Sequence, residues 1–330
     1  MAEQVVLSMS LLSRQLGIVV IALVMGGCAS SLRPDEAVAS APFAIDVRGR
    51  LVVNLSLNGR APQPFIVDSA ASISALYENH PGLSSLPLPG TEITVHGLSA
   101  SGPRPVVQVD SVRLGAARWR DVLLVTLPAP PPDAKIARPP VGILGHDLLS
   151  RYGVAFEILP RTIRLYSHAA MAQRHYAGWQ RVALSRGAPG TPAGSIYFFT
   201  VSIEGEEAKA VFDLGSGVNI VNWPAARRVG LSREHYAARR AASIDGVLAK
   251  TDALPRFIAG HIATDSVSWR EEIFSIADVE IFTTLGLGER PAALLGAGLF
   301  AQRDFVLDFE NDRVLIRRSA EVESLTTPAQ

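Results

Sequence analysis

Two aspartates sit in matching frames. Phe65-Ile66-Val67-Asp68-Ser69-Ala70-Ala71-Ser72-Ile73 and Ala210-Val211-Phe212-Asp213-Leu214-Gly215-Ser216-Gly217-Val218 each run β-prone apolar residues into an acid and then into small residues. An acid directly after such a run is costly if the run is a buried strand. Alone, either aspartate reads as an ordinary turn residue closing a strand. Together, in similar frames, they point to carboxyls brought face to face. Two carboxyls about 3 Å apart cannot both ionise, so they share one proton, and the pair offers a general base beside a general acid. Which aspartate plays which part is not assignable from the sequence, because the proton belongs to the pair.

The elements that must position them are short strands. Leu51, Val53, Leu55 and Leu57 alternate with Val52, Asn54 and Ser56, the period of a half-buried strand. Asn58-Gly59 marks a tight turn, and a return strand over 64–67 delivers Asp68. Residues 72–79 fit a short strand or a helical turn equally well. A strand over 91–96, a Gly/Ser-rich tip at Gly97-Leu98-Ser99, and a way out through 106–112 make a candidate β-hairpin flap. Further strands are expected over 122–127, 154–158 and 162–166, with a loop of six prolines over 128–140. Residues 167–193 break the pattern and read as a connection. The scheme then repeats: Phe199, Val201 and Ile203 alternate, Glu204-Gly205 turns, and 209–212 leads into Asp213.

The ends of the two halves also align. With Gly145 set against Gly296, Leu148 meets Leu299, Leu149 meets Phe300, Val154 meets Phe305 and Phe156 meets Leu307. Ile158, Ile163 and Leu165 then meet Phe309, Val314 and Ile316. This reads as an internal duplication of a unit of roughly 120–130 residues, whose short strands and turns imply an all-β barrel-like or sandwich lobe.

Asp68-Ser69-Ala70-Ala71-Ser72 and Asp213-Leu214-Gly215-Ser216-Gly217 resemble the Asp-Thr/Ser-Gly-Ala-Ser loop of retropepsin-like aspartic proteases. Ile143-Leu144-Gly145 and Leu294-Leu295-Gly296 match that family's second signature, the strand behind the catalytic loop. The family usually supplies one half per chain and dimerises. The resemblance therefore implies two retropepsin-like β-barrel lobes fused in one chain, a pseudo-twofold arrangement like that of pepsin, with the catalytic cleft between them. It implies a peptide or protein substrate, Asp68 and Asp213 as the catalytic dyad, and Ser69, Ala70, Ser72, Leu214, Gly215 and Ser216 as supports of the catalytic loops. Flap residues would be Gly97, Leu98 and Ser99, with Gly246 and Val247 in the second half, closing over an extended peptide. No metal or other cofactor is implied, and the expected state is a monomer that is its own pseudo-dimer.

Three positions depart from the family pattern. Ala70 stands where the family has glycine, Leu214 replaces a hydroxyl residue that helps lock the loops together, and Gly217 lacks the hydroxyl that Ser72 offers. A fold kept for peptide binding, with weak catalysis or none, is the alternative to a working peptidase.

At 330 residues the chain is long enough for two substantial cores, and 48% apolar with 19% charged residues is a globular profile. Formal net charge is zero and no basic run occurs, so no nucleic-acid partner is expected. Arg14, an apolar run over 16–25 and Gly26-Gly27-Cys28 resemble a bacterial lipoprotein signal and cleavage box. That run is shorter than the about 20 residues a spanning helix needs. Met9 to Cys28 alone also makes a compact signal. The expected organisation is a signal peptide over 1–27, a tether over 28–42, lobes over 43–168 and 194–320 joined by 169–193, and a tail over 321–330. Lipidation at Cys28 would anchor the protein in the cell envelope, facing the periplasm, and Ala29 favours the outer over the inner membrane. Cys28 is the single cysteine, so the fold has no disulfide and depends on its core.

Other signals carry less. The stretch 294–301 fits a dinucleotide fingerprint, but no βαβ unit follows it. The seven histidines show no metal-ligand spacing, and no Gly-x-Ser-x-Gly elbow is present. Asp147 and Asp308 read as structural residues near the second signature or the strand after it.

Overall fold

The computed structural model describes residues 37–97, 101–131, 138–236, 242–245 and 250–318. All belong to the larger of two compact units, residues 33–330. In the first half, β1 (Ala39–Ile45), β2 (Leu51–Leu57) and β3 (Gln63–Val67) run antiparallel in succession. Leu51, Val53, Leu55 and Leu57 are buried, as their alternation requires. Asn58 (φ 49°) and Gly59 (φ 73°) both take the left-handed conformation that a two-residue hairpin turn demands. β4 (Ala75–Tyr77) settles the ambiguous stretch as a strand. β5 (Glu92–His96) and β6 (Ser101–Leu114) form the expected hairpin, and β6 turns back into β7 (Ala117–Leu127). β8 (Gly142–Leu144) lies parallel to β3 and antiparallel to β4, and it leads into α1 (His146–Leu149). β9 (Gly153–Glu157) and β10 (Thr162–Tyr166) close this half.

The stretch read as a plain connection holds α2 (His168–Ala172), β11 (Trp179–Ala183) and β12 (Ser185–Arg186). In the second half β13 (Tyr197–Ile203) and β14 (Glu206–Asp213) form a hairpin around Glu204 (φ 51°) and Gly205 (φ 87°). β15 (Asn219–Val221), α3 (Trp223–Arg228) and α4 (Arg233–Tyr236) follow. α3 starts on Asn222, whose side chain accepts from the Ala225 N–H. β16 (Ala242–Asp245) and β17 (Lys250–Leu254) pair as a second hairpin. Then come β18 (Arg256–Ala259), β19 (Ile262–Ala263), β20 (Ser268–Trp269), β21 (Glu272–Ile276) and α5 (Glu280–Thr284). β22 (Ala292–Gly296), α6 (Ala297–Phe300), β23 (Phe305–Asp308) and β24 (Arg313–Arg317) complete the described chain.

Two large sheets result, of 13 and 9 strands, and both halves repeat one local arrangement. β3 is parallel to β8 as β14 is parallel to β22. β4 is antiparallel to β8 and parallel to β7, as β15 is antiparallel to β22 and parallel to β21. The indole N–H of Trp119 donates to the Leu148 carbonyl at 3.2 Å, and that of Trp269 to the Leu299 carbonyl at 3.0 Å.

The halves share a sheet in which β9 pairs antiparallel with β23, with Ala155 opposite Val306. The register that aligns Gly145 with Gly296 also aligns these two residues. Phe156 and Phe305 stack beside them, ring centroids 4.6 Å apart. Burying aromatic and aliphatic side chains of this size contributes about 1.5–3 kcal/mol each.

Residues 39–42, expected to belong to a tether over 28–42, are strand instead. Ala39–Pro42 pair with β10, and Phe43–Ile45 pair with β2. Small residues and a proline hide a strand here, because Ala39 needs little volume to be buried and the adjacent Phe43 anchors the run. Asp308 is structural as expected: almost fully buried, it accepts from Arg313 at 2.7 Å and from the Asn311 side chain.

Candidate active site

Each aspartate ends the inner strand of its hairpin. Asp68 follows β3, and its N–H donates to the Leu144 carbonyl at 3.0 Å. Its Oδ1 accepts the N–H groups of Ala70 (2.8 Å) and Ala71 (2.9 Å). Asp213 is the last residue of β14, and its Oδ1 accepts from Gly215 (2.9 Å) and Ser216 (3.0 Å). This is the side-chain-to-backbone turn that aspartate favours, made the same way twice. Behind the loops, Val67 pairs with Leu144 and Asp213 with Gly296. A Cβ on Gly145 would lie 2.8 Å from the Ala71 carbonyl oxygen, and one on Gly296 2.7 Å from that of Val218, so both signature glycines are there for close packing.

Two polar side chains that the sequence reading passed over hold each glycine to its loop. The Ser74 hydroxyl accepts from Gly145 N–H, and the Asn219 amide oxygen accepts from Gly296 N–H, both at 2.9 Å. They were findable: each lies six residues after its aspartate. Asp147 fixes Ser74 in turn, accepting from its N–H (2.8 Å) and hydroxyl (2.7 Å), a structural role as expected.

The two carboxyls line the same cleft, close enough for each to act on the ionisation of the other. Gly215 packs directly on Asp68, where a Cβ would run into the carboxyl. Ser69, fully buried, bridges the loops: its hydroxyl donates to the Phe212 carbonyl and accepts from Leu214 N–H, both at 3.0 Å. Leu214 returns no such bridge, because its side chain has no hydrogen-bonding atom, and it packs in the apolar core instead. Ala70 lies outside the left-handed region, so its Cβ brings no backbone strain. Gly217 is explained by contact, since a Cβ would come 2.5 Å from the Arg48 carbonyl oxygen. Ser216 does not replace the missing hydroxyls. Its Oγ bonds within its own loop, donating to the Val218 carbonyl at 2.8 Å. Ser72 is exposed on the cleft wall.

Burial pushes the Asp68 carboxyl above its ordinary value, opposed by the two N–H donors, by the Arg50 charge and by the neighbouring Asp213 carboxyl. Burial first, and then the Asp68 charge, hold Asp213 well above the usual carboxylate range. The pair therefore keeps a proton where exposed aspartates have lost theirs. Arg50, also unremarked in the sequence, makes the two sites unequal. Asp46 holds its guanidinium through Nε (2.8 Å) and Nη2 (2.7 Å), and the same carboxyl accepts the N–H groups of Arg48 and Arg50.

Above the carboxyls lies a cleft of about 890 Å³. Ile73 and Ile143 from one half and Val218 and Leu294 from the other are among its apolar walls, and residues 93–97 at the end of β5, including Gly97, line it too. Leu98, Ser99, Gly246, Val247 and Cys28 lie outside the described residues. β16 and β17, which pair with each other, lie on either side of Gly246 and Val247 in the sequence. Among the described residues no group of three or more His, Cys, Asp or Glu side chains could hold a metal ion.

Residues 53–148 match the family model described as Aspartyl protease. The chain is thus β-rich, and over that stretch it is similar to a retropepsin-like aspartic-protease domain. The matched stretch contains Asp68 and Gly145, and Asp213 lies beyond it. No curated protein matches the chain.

Proposed function

We propose that this chain is an aspartic endopeptidase in which Asp68 and Asp213 together activate a water molecule. The observation that carries this reading is the pair of carboxyls lining one cleft, each held by two N–H groups of its own loop. With one proton between them, the ionised carboxyl takes a proton from water as its oxygen adds to the peptide carbonyl. The protonated carboxyl gives its proton to the carbonyl oxygen. Collapse of the tetrahedral adduct returns a proton to the leaving amine. Arg50 beside Asp68 favours Asp68 as the base and Asp213 as the acid. The chemistry needs no metal or other cofactor.

On this reading, 43–168 and 194–320 act as two lobes of an intrachain pseudo-dimer that arose by duplication. The repeated turns, the paired tryptophan bonds and the β9–β23 register support it. A lipid on Cys28 would hold the protein at the bacterial envelope, facing the periplasm and favouring the outer membrane. The sequence around Cys28 is the support for that part.

One observation favours a second reading. Leu214 is buried where a second bridging hydroxyl is expected, as a peptide-binding module without turnover would tolerate. The test is incubation with a diverse peptide mixture from acidic to neutral pH, with products read by mass spectrometry, beside Asp213→Asn. Cleavage by the wild type alone supports the peptidase. Binding without cleavage by folded protein at every pH supports the module.

A further inference from the structure

The outer half of the β5–β6 hairpin stands off the core. Residues along β5 alternate between exposed and half-buried, and β6 is not buried until Val106. Pro103 and Pro105 sit opposite Thr94 and Glu92 with their ring nitrogens turned away from β5, since it is the Val106 N–H that donates across to the Thr91 carbonyl, so the outer edge of the flap offers no N–H donor at these positions. The half-buried Ile93 and Val95 line the cleft. An apolar-faced flap that stands off the core needs a tie to stay down.

Such a tie crosses the cleft. The Ser101 hydroxyl donates to Glu280 Oε1 at 2.6 Å, joining the flap to the first turn of α5 in the other half. His96, paired with Ser101 in the hairpin, places Nδ1 3.1 Å from the same hydroxyl. A hydroxyl has one proton to give. With Glu280 taking it, His96 donates from Nδ1, and the three groups form one directed chain. Ile281 and Leu285, next to Glu280 in sequence or one helical turn on, line the same cleft as the flap.

We propose that Ser101 and Glu280 latch the first-half flap over the cleft and so act as positioning residues for an extended peptide beneath it. This rests on the peptidase reading for its function, though not for its existence. The bond is exposed and competes with water, so it is weak enough to open for each substrate.

The test is hydrogen exchange by mass spectrometry on the detergent-solubilised full chain, comparing wild type with Ser101→Ala, Glu280→Ala and the double variant. Each single variant should speed exchange over 92–106 by roughly 5- to 10-fold, as loss of one ordinary net hydrogen bond implies. The double variant should add little, because both changes remove one interaction. Exchange in β2 and β14 and the melting temperature should not move. Unchanged exchange in the flap, or additive effects, overturns the latch. With a cleaved peptide, the single variants should raise KM more than they lower kcat, and Ser101→Thr should restore the wild-type value. If the wild type cleaves nothing, the peptidase reading fails while the exchange result still decides the latch.

Discussion

Ser69 bridges its own aspartate loop to that of Leu214: its hydroxyl gives a hydrogen bond to the Phe212 carbonyl and takes one from the Leu214 N–H. The site is fully buried, so removing the hydroxyl strands a backbone donor and a backbone acceptor at once. Each stranded group costs about 1–3 kcal/mol. Ser69→Ala should therefore lower stability by at least about 2 kcal/mol in denaturant unfolding, and Ser69→Thr should recover most of it. A loss well below about 1 kcal/mol would mean the hydroxyl is not shared between the loops.

Gly215 and Ala70 occupy the same place in the two loops and should respond oppositely. A Cβ on Gly215 would strike the Asp68 carboxyl, whereas Ala70 already carries one without a left-handed backbone. Gly215→Ala should fold and lose at least roughly 100-fold in kcat/KM, since even small misplacement of a reacting group costs that much. Ala70→Gly should keep activity within a fewfold of wild type. Equal tolerance at both positions would remove Gly215 from the site.

Much of this was legible in the sequence because it depends on period and turn chemistry. The alternation at Leu51, Val53, Leu55 and Leu57, the Asn58-Gly59 and Glu204-Gly205 turns, and the flap hairpin follow from local rules. What stayed hidden depends on distant contact. Ala39–Pro42 look like tether until β10 lies beside them. Arg50 and Glu280 are ordinary charged residues until folding sets one near Asp68 and the other against Ser101. Gly217 read as a lost hydroxyl, and the fold uses it as room for Arg48.

The carboxyl pair also ties stability to pH. Burial raises both folded-state pKa values above the about 3.9 of an unfolded aspartate. The folded chain thus holds more protons than the unfolded chain above that value. The contribution to stability is complete below the unfolded pKa and is lost as pH rises through the folded ones. Asp213→Asn cannot ionise and removes the Asp68–Asp213 repulsion. It should melt higher than wild type at neutral pH, with the gap closing as pH falls, while losing at least roughly 100-fold in cleavage. A variant that melts lower at neutral pH would mean that the pair does not share a buried site.

Arg50 offers the last and sharpest test, because its effect belongs to one member of the pair. Its charge lowers Asp68, and Asp46 holds it in place through Nε and Nη2. Replacing it by methionine keeps the length of the side chain and removes the charge, while leaving the Asp46 carboxylate behind. Both changes raise the Asp68 pKa. The acid limb of kcat/KM against pH reports the lower ionisation of the free enzyme, so in Arg50→Met it should move to higher pH. Arg50→Lys keeps a charge without the two-point grip and should fall between. If the acid limb of Arg50→Met stays where the wild type has it, Arg50 does not set the ionisation of Asp68, and the choice of Asp68 as base loses its physical ground.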